Sequence, residues 1–320
     1  MPFTCESIVG TGIDTVAGPG LSMSVRRCGA ELVSLIWQDP HHGPVPLLWR
    51  DGLAEDPPRY WKSHAPILFP IVGGLHDNSS KTTAGDVVNF NGLHGFVRHN
   101  DLEKVHAGPS EDGFELKYRL TANPTTRAMY PWEFGFEVSY TLRTDRLDLT
   151  LAVENRDSRP MPYQLGWHPG FRTPFLAGSR EKKECHVRLP ACGFDRLLND
   201  ERCFLTGQRV PMDGSGDFQF SELGLDLTYM FDLAAIPQAR RSVSLLDPDE
   251  SFGVRVAFPD FPHLGLWSDA GAPFVCIEPW QGMDDHVSQE PFDRKLGIVI
   301  LPPGGRDERR CSIEVLSHPS

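Results

Sequence analysis

Four short segments of the chain place titratable side chains among aromatic and apolar residues. They are LHGFVRH (93–99), GWHPGF (166–171), GLDLTYMF (224–231) and VCIEPWQG (275–282). Carboxyl and imidazole groups in apolar surroundings have shifted pKa values, and such groups can exchange protons near neutral pH. The four segments therefore indicate acid–base chemistry.

Glu278 lies in the strand-like run FVCIEPW. Side chains alternate along a strand, so Phe274 and Cys276 share the face of Glu278, which predicts an inward-facing carboxyl. Partial desolvation raises the pKa of a carboxyl and makes it a useful base near neutrality. Trp280 shares that face and could stack on the C–H surface of a sugar. The alternative is a strand-end glutamate that reaches water or forms a buried salt bridge.

His168 precedes Pro169, which biases it away from helix and toward an extended backbone that presents the imidazole rigidly. It is either a proton carrier directed into a cleft or a core residue whose nitrogens are satisfied. His94 and Arg98 are four residues apart, a spacing that puts both on one face of a strand, although a loop is equally compatible. Together they could bind the oxygens of a polyol or a phosphate, whereas a structural salt bridge is the alternative for Arg98.

The elements that must position these side chains alternate apolar and polar residues with a period of two. The runs WEFGFEVSYTL (132–142) and RLDLTLAVEN (146–155) predict a long antiparallel hairpin, and FELKYRL, FGVRVAF and CSIEVL repeat the pattern. Helical periodicity is absent, and turn-forming segments separate the runs. The sequence predicts an all-β fold, a large antiparallel β-sandwich, as one domain of residues 1–320, because neither a linker nor a repeat divides it.

Composition excludes several functional classes. The formal net charge of −12 disfavours nucleic acid, and no apolar stretch is long enough for a membrane helix. The N-terminus lacks a secretory signal pattern and the seven cysteines contain no C-x-x-C pair, so we expect a cytoplasmic protein with reduced thiols. G-x-S-x-G, P-loop and H-E-x-x-H motifs are missing, which disfavours serine hydrolase, nucleotide-dependent and zincin chemistry. A small molecule or another protein is the expected partner.

Taken in order, the segments LFPIVGGL, HGFVRH, GWHPGF, CIEPWQG and LPPGG, between residues 68 and 305, resemble the aldose 1-epimerase (galactose mutarotase) family, particularly its LacX-like branch. The resemblance covers most of the chain and implies the galactose mutarotase-like supersandwich. It also implies an enzyme that interconverts the α and β anomers of a sugar without cofactor or metal. The oligomeric state stays open.

The resemblance assigns Glu278 as general base, His168 as general acid and His94 as the second histidine near the ring oxygen. It places one carboxylate and one imidazolium on opposite sides of the acetal. Arg98 and Trp280 are expected to contact the sugar. Asp226 is the candidate for an aspartate that holds sugar hydroxyls, with Asp232 as its rival.

One position departs from the family pattern. Members commonly carry an arginine where this chain has Gly74, so a sugar contact is missing there or Arg98 supplies it. A hexose-6-phosphate 1-epimerase is therefore an alternative, supported by the basic residues Arg98, His99 and Arg172 and disfavoured by the overall negative charge. A non-catalytic carbohydrate-binding or sensing protein is a second alternative. A metal enzyme is a third, because two histidines and a carboxylate also form a facial triad for iron.

Overall fold

A computed structural model describes residues 2–8, 10–49, 60–176, 181–190, 193–212, 216–224, 227–269 and 271–317. Within these residues, strands dominate and helices are short. The all-β prediction is confirmed. The division into one domain of residues 1–320 stays a prediction.

The strands of the first half of the chain begin with a meander and end in the long hairpin that the sequence predicts. They are β1 (Thr4–Ile8), β2 (Ile13–Ala17), β3 (Leu21–Arg26), β4 (Glu31–Asp39), β5 (Gly43–Pro46), β6 (Ile67–Leu68), β7 (Ser79–Lys81), β8 (Val87–Asn89), β9 (Glu103–Ser110), β10 (Gly113–Thr121), β11 (Phe134–Leu142), β12 (Arg146–Asn155) and β13 (Met161–Tyr163).

The second half adds shorter strands, most of which complete the two large sheets. They are β14 (Leu165–Trp167), β15 (Gly170–Arg172), β16 (His186–Arg188), β17 (Phe194–Asn199), β18 (Leu205–Met212), β19 (Asp217–Gln219), β20 (Leu227–Asp232), β21 (Ser242–Leu246), β22 (Phe252–Ala257), β23 (His263–Ser268), β24 (Phe274–Gln281), β25 (Val299–Leu301) and β26 (Arg306–Ser317). The helices are α1 (Pro124–Met129) and α2 (Phe220–Leu223), and single 3-10 turns occur at His76–Asn78, Val97–His99, Lys182–Glu184, Gln238–Arg240 and Phe292–Arg294.

Strands β11 and β12 form the predicted hairpin. Tyr140 lies opposite Leu149 and Val138 opposite Leu151, so the apolar positions of both strands share one face. These four side chains are fully buried. The alternation in the sequence thus becomes one buried face of a sheet, as expected for a strand whose other face is more polar.

Two large antiparallel sheets face each other. One has nine strands in the order β19-β16-β21-β22-β26-β12-β11-β10-β9, and the other has eight, β18-β17-β20-β23-β24-β14-β6 with β15 also paired to β24. Phe69, directly after β6, bridges them: its ring stacks on Phe136 of β11 at 4.8 Å and lies 5.3 Å from Phe134. Burying each such ring stabilises the fold by about 1.5–3 kcal/mol. The apolar faces therefore hold the sandwich together.

Two further observations bear on the class of protein. Among the described helices, none is both long and apolar enough to cross a membrane. The six cysteines in the described ranges are free thiols, three of them buried. The buried ones are core residues, in agreement with the sequence prediction.

Candidate active site

The central strand β24 carries Glu278 and pairs with an interrupted strand. Gly166 of β14 lies opposite Trp280, and Gly170 of β15 lies opposite Cys276 in the same register. The residue directly opposite Glu278 is therefore His168, in the gap between β14 and β15. Cross-strand neighbours project from the same face of a sheet. His168 Nε2 consequently lies 3.0 Å from a carboxylate oxygen of Glu278.

Both members of this pair are buried, Glu278 to 2% and His168 to 7% exposure. Burial raises the pKa of the Glu278 carboxyl well above its ordinary value, and the charge of Asp284 adds to this. Burial also lowers the pKa of His168 well below its ordinary value, reinforced by His94 and Arg98. Because desolvation disfavours charge on either group, the pair is most stable with one proton and no net charge.

The two groups are adjacent, which corrects the expectation that they flank an acetal from opposite sides. The register of β24 puts them side by side, so nothing as large as a sugar ring fits between them. The two oxygens of a hemiacetal, O1 and O5, share carbon C1 and are themselves close together. A carboxyl and an imidazole in contact can therefore address both oxygens from one side.

His94 lies in a turn rather than on a strand, so the loop alternative was right. Its backbone adopts φ +68°, and Val97–His99 form a 3-10 turn. The backbone of Gly73 fixes His94 twice: its N–H donates to Nδ1 at 3.0 Å, and its carbonyl accepts the His94 N–H at 2.8 Å. Burial, with the charge of Arg98, lowers the pKa of His94 to about 3. His94 is therefore neutral, with its proton on Nε2, and can donate a hydrogen bond.

Arg98 and Trp280 both line the same cavity as the three residues above. Arg98 donates to Ser63 Oγ at 3.3 Å, and within the described residues no carboxylate lies within 4 Å of its guanidinium. The structural salt bridge is thus not formed there. Burial lowers the pKa of Arg98. Trp280 is 5% exposed, and its indole lies 6.3 Å from the His94 ring.

The structure describes only one of the two aspartate candidates. Asp226 lies outside the described residues, so its position stays a prediction. Asp232, its rival, is at the end of β20 and accepts from Arg209 at 2.7 Å. It is not among the residues that line the cavity. His99 and Arg172, the other basic residues considered from the sequence, are exposed and also lie outside the lining.

Aromatic side chains form one wall of the cavity, which has a volume of about 420 Å³. Trp61 stacks on the His168 ring at 4.7 Å, and Trp267 meets both rings edge-on at about 6 Å. Flat indole surfaces suit the C–H faces of a sugar and hold the imidazole in one orientation. The cavity is also lined by four residues that no sequence pattern predicted: Trp61, Trp267, Asp284 and Arg202. Only the Met-Asp-Asp run directly after the EPWQG segment offered a signal for Asp284.

Asp284 is 5% exposed, and its Oδ1 accepts the Gly74 N–H at 2.7 Å. Burial raises its pKa to about 7 despite that hydrogen bond. The next residue, Asp285, forms an ion pair with Lys295 at 2.6 Å, with both side chains at most 1% exposed. Asp285 also accepts the His76 N–H at 3.1 Å. These bonds fix the chain that follows β24 and, with it, the position of Asp284.

One group of potential metal ligands falls in this cavity. Ligand atoms of His168, Cys276 and Glu278 lie within 4.8 Å of one another. The iron triad considered from the sequence would instead need His94, whose Nδ1 accepts from Gly73 and whose Nε2 carries the proton. The geometry of His94 therefore suits a hydrogen-bond donor better than a metal ligand.

Comparisons with known proteins agree with this architecture. The sequence profile of the family described as aldose 1-epimerase matches residues 14–313. The chromosomal LacX protein of Lactococcus lactis subsp. lactis is 30% identical over 88% of this chain and 92% of its own length. The galactose mutarotase related enzyme of Lactobacillus acidophilus superposes with a TM-score of 0.81, at 26% identity over 95% of this chain and 97% of that chain. A galactose mutarotase-like protein of Lactobacillus casei shares the fold, with a TM-score of 0.79 and 23% identity over 95% and 100%.

Replacing Lys295 with methionine tests the ion pair behind the site. Lys295→Met leaves the buried Asp285 carboxylate without its cation, which we expect to lower the free energy of unfolding by about 3–5 kcal/mol. Urea denaturation measures the change. The control is Lys117→Met, whose amine is 3.7 Å from Glu115 and one-third exposed; it should cost less than about 1 kcal/mol. Equal losses in the two variants would contradict the structural role of Lys295.

Proposed function

The chain belongs to the aldose 1-epimerase family, and from this premise we propose that it interconverts the α and β anomers of an aldose. The observation that carries the proposal is the His168–Glu278 contact of 3.0 Å at the buried floor of an aromatic-walled cavity. The pair can hold a single proton and pass it between two adjacent oxygens. Anomer interconversion requires such an exchange, because the ring opens only when O1 loses a proton and O5 gains one.

Ring opening begins with the pair's proton on His168. Glu278 removes the proton from the C1 hydroxyl while His168 Nε2 donates to O5, and the C1–O5 bond breaks to give the open-chain aldehyde. The proton count of the pair is unchanged, since Glu278 has gained what His168 has lost. This form, with neutral imidazole and protonated carboxyl, is the one that burial favours.

Ring closure reverses the transfers on the other carbonyl face. Rotation about the C1–C2 bond presents that face to the C5 hydroxyl. Glu278 returns its proton to O1 while His168 takes the proton from the C5 hydroxyl, and the opposite anomer forms. The pair ends in its starting state, so the cycle needs no proton from solvent and no cofactor.

His94 and the aromatic wall have positioning roles in this scheme. The neutral His94 ring donates its Nε2–H to the sugar near O5, and its orientation is fixed by Gly73. Trp61 fixes the orientation of the His168 ring by stacking on it, and Trp280 supports the sugar face. Holding reactants in register lowers the barrier by reducing the entropy lost in the transition state.

The protein is proposed to act in the cytoplasm.

Glu278→Gln tests the proposal directly. The amide keeps the size of the side chain but cannot remove a proton, so kcat/KM for anomerisation should fall about 10²- to 10⁴-fold. Polarimetry on freshly dissolved α-glucose and α-galactose measures the rate. Glu115→Gln, on strand β10 and outside the cavity lining, is the matched control and should behave as the wild type.

Two outcomes would contradict the proposal. Equal rates for the wild type and Glu278→Gln would remove the assigned base. Tight sugar binding without acceleration, across aldoses and their phosphates, would instead identify a carbohydrate-binding protein.

The pH profile follows from the shifted pKa values of the pair. Its one-proton form is lost in acid only below the lowered pKa of His168, and in alkali only above the raised pKa of Glu278. We therefore expect kcat at saturating sugar to be level around neutrality, with the acid fall well below the ordinary imidazole pKa of about 6.5. KM is expected to change near neutrality as well, because burial raises the pKa of Asp284 in the same cavity to about 7. Polarimetry between pH 4 and 9, corrected for the buffer-catalysed reaction, measures both constants. An acid limb of kcat centred at or above about pH 6.5 would exclude this assignment.

A hexose 6-phosphate is the second candidate substrate, and Arg98 is the observation that favours it. A half-buried guanidinium without a described carboxylate partner is costly unless a ligand's negative charge approaches it. Arg202, also in the lining, is in contrast paired with Asp200 at 3.3 Å. The phosphate of the substrate would complete the ion pair that Arg98 lacks.

Arg98→Met separates the two substrates. If Arg98 binds a phosphate, KM for glucose 6-phosphate should rise roughly tenfold to a hundredfold more than KM for glucose, because one charged hydrogen-bonded contact is lost. NMR saturation transfer measures anomerisation of both sugars under identical conditions. The same factor for both would assign Arg98 to a hydroxyl of a neutral aldose.

A further inference from the structure

Asp284 presents an unused oxygen to the sugar cavity. Its Oδ1 accepts the Gly74 N–H, while in the described part of the chain no group donates to Oδ2 and no cation lies within 4 Å of the carboxyl. The neighbouring Asp285, and not Asp284, forms the ion pair with Lys295. A buried carboxyl with a free acceptor is costly unless a donor reaches it, and the cavity is the side from which a donor can come.

The backbone around Gly73 makes room for this carboxyl. A Cβ at position 73 would lie 2.1 to 2.4 Å from the Oδ1, Cγ and Oδ2 atoms of Asp284. Gly73 also has φ +66°, a conformation that residues with a side chain rarely adopt. Any other residue there would push Asp284 out of its position. Glycine is thus required at position 73 both by the turn and by the position of the Asp284 carboxyl.

Asp284 also lies near the reacting end of the cavity. Its carboxyl lies against Gly73, whose N–H fixes the His94 ring, and that ring is 5.4 Å from the ring of His168, the partner of Glu278. The charge of Asp284 accordingly contributes to the raised pKa of Glu278, the carboxyl assigned to the C1 hydroxyl. The hydroxyl beside C1 is the one on C2. A second carboxyl close to Glu278 is therefore placed to meet that hydroxyl.

We infer that Asp284 binds the C2 hydroxyl of the substrate through Oδ2, with Gly73 and Gly74 holding the carboxyl in place. The inference rests on the proposed anomerase function and adds to it the residue that orients the sugar. It adds Asp284 to the candidate sugar-binding residues, while the role of Asp226 stays a prediction. A substrate with an oxygen-bearing C2 is bound better than one without it.

Asp284→Asn, assayed with glucose and 2-deoxyglucose, tests the inference. The asparagine oxygen can still accept from Gly74, but the charged acceptor is lost, so KM for glucose should rise roughly tenfold or more. The value of kcat should change by a smaller factor than KM for glucose, since Asp284 takes no proton from the reacting atoms and acts on kcat only through the pKa of Glu278. KM for 2-deoxyglucose should already be raised in the wild type and should not rise further in the variant. NMR saturation transfer supplies both constants.

Two results would overturn the inference. An equal rise in KM for glucose and 2-deoxyglucose would mean that Asp284 acts without contacting the C2 hydroxyl. A loss confined to kcat would mean that Asp284 acts on the His168–Glu278 pair and not in sugar binding.

Control variants separate binding from folding. Asp39→Asn removes another buried carboxylate that accepts backbone N–H groups, from His41 and His42 at 2.9 Å, on strand β4 and outside the cavity lining. It should leave both constants unchanged. Gly73→Ala should raise KM for glucose more than KM for 2-deoxyglucose by displacing the Asp284 carboxyl, and it should also lower kcat because Gly73 positions His94. Thermal unfolding confirms that the variant folds. An unchanged KM in folded Gly73→Ala would contradict the placement.

The inference can fail independently of the proposed function. If the wild type accelerates anomerisation but Asp284→Asn is unaltered, only the role of Asp284 is lost. If the wild type does not accelerate it, calorimetric Kd values for glucose and 2-deoxyglucose replace KM. If Asp284→Asn then raises Kd for glucose but not for 2-deoxyglucose, Asp284 is supported as a sugar ligand in a binding protein. The absence of that difference would refute this role as well.

Discussion

The antiparallel register between β24 and the interrupted strand β14–β15 sets His168 opposite Glu278, and the other features of the cavity depend on that alignment. A shift of one residue would send one side chain to the opposite face of the sheet, since strand side chains alternate. The ladder is held on both sides of the gap, by Gly166–Trp280 and Gly170–Cys276. Pro169 continues an extended chain through the gap without an N–H of its own. The pair is thus positioned by the sheet itself and not by a mobile loop.

Burial of this pair has an energetic cost that the surrounding structure must offset. Burial at the floor of the cavity disfavours the charged form of both ionisable groups, so it shifts both pKa values toward the neutral forms. The aromatic contacts of Trp61 and Trp267 and the packing of the two sheets supply the compensating stability. Because the carboxyl pKa is raised and the imidazole pKa is lowered, the form with the proton on Glu278 is favoured, and moving that proton to His168 creates an ion pair that burial disfavours.

Much of the fold could be predicted from local patterns, but the geometry of the site could not. The period-two alternation of residues 132–155 was enough to predict the β11–β12 hairpin, because each strand buries one face whatever its distant partners are. Glu278 and His168 were recognisable by residue type and apolar context. Their mutual placement was predicted wrongly, on opposite sides of an acetal, because it depends on a pairing between segments more than a hundred residues apart. Trp61, Asp284 and the Gly73 contact to His94 likewise arise from tertiary structure, which no short segment encodes.

The glycine pair Gly73–Gly74 positions two polar groups of the cavity through backbone hydrogen bonds, at a place where the family pattern suggests an arginine side chain. Two successive backbone amides act on two different groups: the Gly73 N–H fixes the proton of His94 on Nε2, and the Gly74 N–H fixes one oxygen of Asp284. The His94 donor and the Asp284 acceptor are thereby held at a spacing that one peptide unit determines, and a peptide unit is more rigid than any side chain. The space beside Gly73 is filled by the Asp284 carboxyl. The wall that carries Gly74 therefore presents a buried carboxyl at the position where the family pattern suggests an arginine.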